Sequence, residues 1–222
     1  FGVDPTRPDL HLGHAVILQK LRKFQNLGCK IIFLVGDFTA VIGDPTGKSK
    51  VRPEIEQKEV EVNMETYLNQ VGKVLLTDPK LFSWIRNSDW FHTVTDIAGN
   101  VSFVEKATLY ENTRMQKTHL GKEKIQGITL RGLIWTLKHI THAQLIERDM
   151  FQERIREGQP LYMHEMLYPV LQGVDSFALY DIYGSCDLEI GGTDQTFNML
   201  MGRNIMKANN QPEQAVMSIN LL

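Results

Sequence analysis

Two histidines three positions apart, His11 and His14, enclose Gly13 in the sequence PDLHLGHAV, residues 8 to 16. At this spacing two imidazoles can ligate zinc, but no glutamate lies between them and no third ligand follows at a recognised spacing. The histidines could instead be satisfied within a hydrophobic core. A third possibility is a phosphate-binding site, because imidazole N–H groups donate hydrogen bonds to anionic oxygen atoms.

The position of the two histidines favours the phosphate site. A short strand ending near Val3 is followed by the turn Asp4-Pro5-Thr6, and apolar residues at helical spacing then continue to Gly28. The pair therefore falls at the start of a helix, where unpaired backbone N–H groups and the helix dipole attract an anion. Gly13 would let that anion approach the backbone closely.

A second segment, IGDPTGKSK at residues 42 to 50, has the composition of a phosphate-binding loop. A P-loop requires glycine five positions before Gly47, and that position is Ile42, so the segment is not a P-loop. An exposed basic turn would explain Lys48 and Arg52. It would not explain the Gly-Asp pair that ends in Asp44, so the segment needs another interpretation.

Polar residues at helical spacing form a third pattern. Tyr168, Gln172 and Asp175 occupy positions i, i+4 and i+7, so they project from one face of a helix. The polar stripe of an ordinary amphipathic helix would give the same spacing. The spacing alone is compatible with either a ligand-binding face or such a stripe.

A fourth pattern, LEIGGTDQ at residues 188 to 195, predicts a strand that runs through a glycine turn into a helix. Two glycines at the carboxyl end of a strand allow a nucleoside to approach closely, and Asp194 can bind its ribose hydroxyls. Gln195, at the helix start, can orient a carboxylate or a phosphate. A bare turn would not need this order of residues.

Together these segments resemble the class I aminoacyl-tRNA synthetases, and most closely the tyrosyl-tRNA synthetases of bacteria. HxGH alone is less specific, since nucleotidyltransferases of the same superfamily carry it too. The resemblance covers residues 1 to 60 and about 140 to 222. It is poor between residues 97 and 135, where this chain carries extra residues such as 117 to 124. The motifs that carry the resemblance are Gly2-x-Asp4-Pro5-Thr6, His11-x-Gly13-His14, Gly43 to Arg52, Tyr168-x3-Gln172-x2-Asp175 and Gly191 to Gln195.

The resemblance implies a role for each matching residue. The residues implied in catalysis, as positive or hydroxyl donors to the phosphates, are His11, His14, Thr6, Lys48 and Arg52. The residues implied to bind ATP are Gly13, His11, His14, Gly192 and Asp194. The residues implied to bind tyrosine are Asp4, Asp44, Tyr168, Gln172, Asp175 and Gln195. No residue is implied as a metal ligand, and Mg²⁺ would help to neutralise the phosphates.

The activity implied is that of a tyrosine–tRNA ligase. L-tyrosine would react with ATP to give tyrosyl-adenylate and pyrophosphate, and the tyrosyl group would pass to the 3′ end of tRNA(Tyr). The resemblance also implies a homodimer, with residues 85 to 150 as a plausible interface. Two alternatives are a tryptophanyl-tRNA synthetase and a synthetase-like RNA-binding protein that has lost catalysis.

Composition narrows the class of protein. The 222 residues carry a formal net charge of -2, with 42% hydrophobic and 23% charged residues, as expected of a globular protein without a basic coat for nucleic acid. The two cysteines, Cys29 and Cys186, form no CxxC motif, which argues against a disulfide framework and fits a reducing cytoplasm. No apolar run is long enough to cross a membrane, so we expect a cytoplasmic protein.

Strands separated by helices predict an α/β fold, a Rossmann-like doubly wound parallel sheet with a largely helical connective insertion at residues 85 to 150. We expect strands ending near residue 3 and at 31–35, 188–192 and 215–222, and a strand and turn at 80–96. We expect helices at 12–27, 54–76, much of 97–157, from 164 onward and at 194–203, with a surface loop at 117–131. The chain has no starting Met and its ends look like strand interiors. We therefore expect residues 1–222 to be a fragment of the catalytic domain, with the lysine-rich KMSKS loop and a C-terminal tRNA-binding domain outside it.

Overall fold

The structure is a computed structural model, and it describes residues 1–46, 55–91 and 128–220. The strands are β1 (Gly2–Val3), β2 (Ile31–Val35), β3 (Phe82–Arg86), β4 (Leu188–Gly192) and β5 (Ala215–Ile219). The first helices are α1 (Leu12–Asn26), α2 (Asp37–Ile42), α3 (Gln57–Met64), α4 (Tyr67–Val71) and α5 (Ser88–Phe91). The later helices are α6 (Leu130–Leu137), α7 (His142–Ile146), α8 (Asp149–Arg156), α9 (Met163–Tyr183) and α10 (Thr196–Ala208).

The chain divides into two compact units. The first comprises Phe1–Phe38, Gln57–Leu130 and Asn220–Leu222, and the second comprises Thr39–Glu56 and Arg131–Ile219. The described strands of the first unit form a parallel sheet in the order β1-β2-β3, with Gly2 opposite Leu34 and Ile31 opposite Phe82. The apolar run of β2 lies in the middle of this sheet and is almost wholly buried, as a strand covered on both faces requires.

Helix α1 connects β1 to β2 and is anchored by one buried polar side chain. Gln25 donates from Nε2 to the carbonyl oxygens of Leu76 (2.9 Å) and Leu81 (3.0 Å) and accepts from the Leu76 N–H at Oε1 (2.8 Å). Gly28 follows the helix with a φ of 88°, the left-handed conformation in which glycine has no steric penalty. The predicted end of the helix near Gly28 is thus confirmed.

The prediction of a single helix over residues 54 to 76 is wrong. Two short helices, α3 and α4, stand there, separated by Glu65 and Thr66. Thr66 donates a short hydrogen bond to the Pro8 carbonyl, and Tyr67 donates to the Arg7 carbonyl at 2.8 Å. These bonds to a distant segment set the direction of α4, and such tertiary contacts override the local helical pattern.

The second unit is built on the parallel pair β4 and β5, in which Leu188 lies opposite Ala215 and Gly192 opposite Ile219. Helices α9 and α10 pack against each other beside this pair. They meet at a glycine of α9, where a Cβ atom on Gly173 would lie 2.7 Å from Cδ1 of Ile205 and 3.1 Å from the Met201 carbonyl carbon. Close approach of the two backbones therefore requires glycine at position 173.

A buried ion pair holds the start of α9, the helix that carries the predicted tyrosine-binding face. Arg154 contacts Glu165 through two parallel bonds, Nη1 to Oε1 at 2.6 Å and Nη2 to Oε2 at 3.1 Å. Burial raises the pKa of Glu165, but the hydrogen bonds from Arg154 and the Tyr162 N–H bring that pKa below its usual value. The carboxylate thus stays charged and fixes the first turn of the helix.

The remaining elements follow the sequence with small differences. Within the predicted insertion, the described residues from 128 to 150 include the short helices α6 and α7 and the start of α8, as expected. Residues 117–127 of the predicted loop at 117–131 lie outside the described residues. Helix α10 begins at Thr196 rather than at residue 194, because Thr193–Gln195 form a 3-10 turn first. No helix in the described part of the chain is both long and apolar enough to span a bilayer.

We expect Gly173→Ala to destabilise the protein by about 1–3 kcal/mol, because the added methyl group overlaps Ile205 and the α10 backbone. Urea unfolding measures this loss. As a control, Asn204→Ala on the exposed face of α10 should stay within about 0.5 kcal/mol of wild type. Unchanged stability of Gly173→Ala would show that the two helices do not approach this closely.

Candidate functional site

The two histidines form the N-terminal cap of α1. His11 is the N-cap residue, and its Nδ1 accepts a hydrogen bond from the Gly13 N–H at 3.1 Å. His14 returns the contact, since its Nδ1 accepts from the His11 N–H at 3.1 Å. This is a capping box in which imidazoles replace the usual hydroxyl and carboxylate groups. The histidines therefore neither ligate zinc together through Nδ1 nor sit in the core.

The cap fixes which nitrogen of each imidazole carries a proton. Because both Nδ1 atoms accept hydrogen bonds, each neutral ring carries its proton on Nε2 and presents an N–H donor there. Burial, together with the neighbouring His11, lowers the pKa of His14 to about 4. His14 is thus a neutral donor near pH 7 and not the positive one that the sequence suggested. The rings lie side by side, with centroids 4.0 Å apart.

The backbone that leads into this cap is held by side chains of α3 and α4. Gln70 accepts from the Leu10 N–H at 2.9 Å and donates to the Pro8 carbonyl at 2.9 Å. Asn63 donates to the Pro5 carbonyl at 3.1 Å. With Tyr67, these residues occupy positions i, i+4 and i+7, a polar stripe that our sequence analysis overlooked. They fix the segment between Thr6 and His11.

Asp4 and Thr6 lie on this same segment, directly after β1. The Thr6 N–H donates to the Asp4 carbonyl at 2.8 Å, and both side chains are partly exposed. Burial and the charge of Asp4 raise the pKa of Tyr67 to about 12, so its hydroxyl group stays protonated and keeps donating to Arg7. Asp4, Thr6, His11, Gly13 and His14 thus all lie on one short stretch of the first unit.

Asp44 organises the polar residues of the second unit. Its Oδ1 accepts from the N–H and hydroxyl groups of Thr46, at 2.9 and 2.6 Å, and its Oδ2 accepts from Nε2 of Gln195 at 2.7 Å. Asp44 is 7% exposed. The structure therefore brings together two residues, 151 positions apart, that were both predicted to bind tyrosine. Lys48 and Arg52 lie outside the described residues.

Arg148 is a buried cation next to Asp44 that the sequence did not single out. Its Nη2 donates to the Thr46 hydroxyl at 2.8 Å, and its guanidinium carbon lies 5.1 and 5.0 Å from the ring centroids of Phe151 and Phe197. Burial lowers the pKa of Arg148, and Asp44 opposes that shift. A lone arginine in a weakly patterned segment gives no signal that could have identified it.

The predicted face of α9 is present. Tyr168 and Asp175 are both 5% exposed, and Gln172 between them is partly exposed. Gln172 donates from Nε2 to Oε1 of Glu189 on β4 at 2.9 Å. Burial raises the pKa of Glu189, although hydrogen bonds from Gln172, Gln214 and Ser176 oppose that rise. Glu189 stands within LEIGGTDQ but was not singled out.

The two glycines after Glu189 have different roles. A Cβ atom on Gly191 would meet Sδ of Met199 at 3.1 Å and Cβ of Gln195 at 3.3 Å, so this glycine is needed to pack β4 against the following helix. The close contact belongs to the protein itself and not to a nucleoside. Gly192 is buried and has an ordinary φ of -68°. Asp194 is exposed, and its Oδ2 accepts from Gln195 at 3.2 Å.

Comparison with known proteins identifies the family of the chain. The family model described as tRNA synthetases class I (W and Y) matches residues 1–222. The chain belongs to this family. Tyrosine–tRNA ligases from Mannheimia succiniciproducens and Deinococcus radiodurans are each 42% identical to this synthetase chain over 221 residues. Those matches cover 100% of the chain but 46% and 44% of the two relatives, so the chain spans about half their length.

Solved structures establish the fold of this synthetase chain. A C-terminally truncated mitochondrial tyrosyl-tRNA synthetase from Aspergillus nidulans has a TM-score of 0.74 at 21% identity, covering 100% of the chain and 59% of that structure. A tryptophanyl-tRNA synthetase from Campylobacter jejuni has a TM-score of 0.59 at 13% identity, covering 100% and 55%. With the parallel strand pairings, these likenesses confirm the predicted Rossmann-like α/β fold.

We expect the synthetase chain to lose stability below about pH 6.5, with the contribution of His14 fully lost near pH 4. The unfolded chain binds a proton at His14 in this range and the folded chain does not, so falling pH favours unfolding. His14→Gln keeps a side-chain acceptor for the cap and removes the titration. Urea unfolding at about pH 7 and about pH 5 should show a smaller pH-dependent loss in this variant.

His142→Gln, an exposed histidine changed in the same way, is the control for this experiment. It should lose as much stability on acidification as wild type does. An equal loss in wild type and His14→Gln would show that His14 is not held neutral by the fold.

Proposed function

We propose that the complete protein is a tyrosine–tRNA ligase. In the first step, a carboxylate oxygen of L-tyrosine attacks the α-phosphorus of ATP in line, the bond to pyrophosphate breaks, and tyrosyl-adenylate forms. In the second, a hydroxyl group of the 3′-terminal ribose of tRNA(Tyr) attacks the tyrosyl carbonyl and AMP leaves. Relatives 42% identical over the whole chain are tyrosine–tRNA ligases, which supports this proposal.

The buried carboxyl group of Asp175 carries the proposal for tyrosine. It lies on the same helix face as Gln172 and Tyr168 and is 5% exposed. A buried acceptor suits a phenol hydroxyl, and a substrate that lacks the hydroxyl would leave this group without that partner. Phenylalanine is therefore rejected when it binds, and no editing domain is needed.

Residues of the second unit suit the other end of the amino acid. The carboxylate of Asp44 and the side chains of Tyr168, Gln172 and Gln195 would hold the ammonium and carboxylate groups. Activation needs placement and charge stabilisation more than a protein base. These residues therefore act by positioning tyrosine.

The phosphates of ATP would be bound by donors that the sequence brings to one helix start. His11 and His14 present Nε2–H groups, Thr6 presents a hydroxyl group, and the backbone at Gly13 allows close approach. Lys48 and Arg52 would add positive charge. Gly192 and Asp194 would contact the adenosine.

Magnesium would enter this reaction as part of the substrate. Within residues 1–46, 55–91 and 128–220, no group of three or more histidine, cysteine, aspartate or glutamate side chains can hold a metal ion. Mg²⁺ is commonly bound through substrate phosphates and few protein ligands. We therefore propose Mg²⁺ bound to ATP, with its charge offsetting that of the phosphates.

We also propose that residues 1–222 form a catalytic domain with a connective insertion at 85–150. The KMSKS loop and the tRNA-binding domain would lie outside these residues. A cytoplasmic location follows from this function, and both cysteines are free thiols, as a reducing compartment would keep them.

The proposed activity is tested by ATP–pyrophosphate exchange with each of the twenty amino acids. We expect exchange with tyrosine alone, and Asp175→Ala should raise the KM for tyrosine about ten- to hundredfold without changing the KM for ATP. Exchange with tryptophan would instead identify a tryptophanyl enzyme. No exchange, with tight binding of structured RNA, would identify an RNA-binding protein.

We propose a homodimer with an interface that includes α6. The apolar side chains of Leu130, Ile134 and Trp135 on this short helix are 75%, 50% and 40% exposed. Exposed apolar surface of this kind is typical of an interface. Ile134→Asp should convert the dimer to a monomer in sedimentation velocity, whereas Lys138→Ala, just after this helix, should not. A monomeric wild type would contradict this proposal.

A further inference from the structure

The amide nitrogen of Gln172 is hydrogen-bonded within the protein, and its amide oxygen is available to a ligand. Its Nε2 donates to Oε1 of Glu189 at 2.9 Å, and among the described residues it makes no other hydrogen bond. Gln195 differs, because its Nε2 donates to Asp44 and its Oε1 accepts from Nδ2 of Asn198 at 3.1 Å. Of these two glutamines, Gln172 therefore offers the amide oxygen that is not already bonded.

Glu189 determines which end of Gln172 is offered. Both oxygens of the Glu189 carboxyl group accept hydrogen bonds, Oε1 from Gln172 and Oε2 from Gln214 and Ser176, so the Gln172 amide turns its NH₂ group towards Glu189. The amide oxygen then points away from the carboxylate. In this orientation Gln172 accepts from a cation, whereas the reversed amide would present N–H groups and repel one.

Glu189 is itself held in place by two other side chains of the second unit. Its Oε2 accepts from Nε2 of Gln214 at 2.5 Å and from the Ser176 hydroxyl at 3.3 Å. Gln214 is 1% exposed, and its Oε1 accepts from the thiol of Cys186 at 3.1 Å. With these partners the Glu189 carboxylate cannot rotate away from Gln172 without breaking buried hydrogen bonds.

We infer that Glu189 is a positioning residue for amino-acid recognition: it fixes the amide of Gln172 so that Oε1 accepts a hydrogen bond from the substrate ammonium group. This inference rests on the proposed function. In this network Gln172, Ser176 and Gln214 donate to the Glu189 carboxyl group, and the Gln172 amide oxygen remains available to accept from the ligand. Glu189 acts through Gln172 and need not touch the amino acid.

The test is a double-mutant cycle on the complete protein, read by tyrosine-dependent ATP–pyrophosphate exchange. Glu189→Gln keeps the size of the side chain but lets the Gln172 amide adopt either orientation. It should raise the KM for tyrosine about tenfold, the size expected for losing a hydrogen bond to a charged group, with kcat and the KM for ATP unchanged. Gln172→Met should have a similar effect. The double variant should be no worse than Gln172→Met, because Glu189 acts through Gln172.

Glu213→Gln is the matched control, since it neutralises a carboxylate of the same unit that pairs with Arg203 near the surface. It should leave the KM for tyrosine unchanged. Thermal unfolding of every variant identifies a folding defect. If Glu189→Gln fails to fold, Glu189→Asp replaces it. This variant keeps the carboxyl group but shortens the side chain, and it should also raise the KM for tyrosine.

An unchanged KM for tyrosine in Glu189→Gln, or effects of the two substitutions that simply add, would overturn the inference and leave the proposed function intact. A wild-type protein that exchanges pyrophosphate with no amino acid would overturn the proposed function as well.

Discussion

The hydrogen bond from Gln195 to Asp44, 2.7 Å long, joins two segments that lie 151 positions apart in the sequence. Asp44 ends the Gly-Asp pair after α2, and Gln195 follows the glycine turn of β4. Because a carboxylate accepts but does not donate, Asp44 also fixes the conformation of Thr46 and, through it, the guanidinium group of Arg148. This buried carboxylate thus orders Gln195, another side chain of the second unit that we propose to hold tyrosine.

The first unit reaches a comparable order by a different route. The start of a helix has N–H groups without partners, and His11 and His14 use their Nδ1 atoms to cap two of them. Because the cap uses Nδ1, each imidazole offers its Nε2–H group to a ligand. The role of the histidines in the helix cap therefore determines which of their atoms can bind a phosphate. Gln70 and Tyr67 fix the backbone just before the cap. Both units therefore use a polar contact within the protein to set which atom of a side chain is available to a ligand.

Much of this fold can be predicted from local patterns. The apolar run at Ile31–Val35 predicted a buried strand, and GGTDQ predicted the turn between β4 and α10. Residues whose role depends on a distant partner could not be found. The roles of Glu189 and Arg148 depend on their hydrogen bonds to Gln172 and Thr46, which are distant from them in the sequence. The break between α3 and α4 was missed for the same reason, since contacts with residues 5 to 10 cause it.

The central claim is that the histidine cap of α1 serves the phosphates of ATP, whereas Asp44 and its hydrogen-bond partners serve the binding of tyrosine. It is tested most directly by measuring the tyrosine dissociation constant and the rate of pyrophosphate exchange for His11→Asn and Asp44→Asn. Asparagine preserves the helix cap, so His11→Asn should slow exchange at saturating tyrosine while tyrosine binds as tightly as in wild type. Asp44→Asn should weaken tyrosine binding. If His11→Asn weakened tyrosine binding as much as it slowed exchange, the histidines would not serve the phosphates and the claim would be wrong.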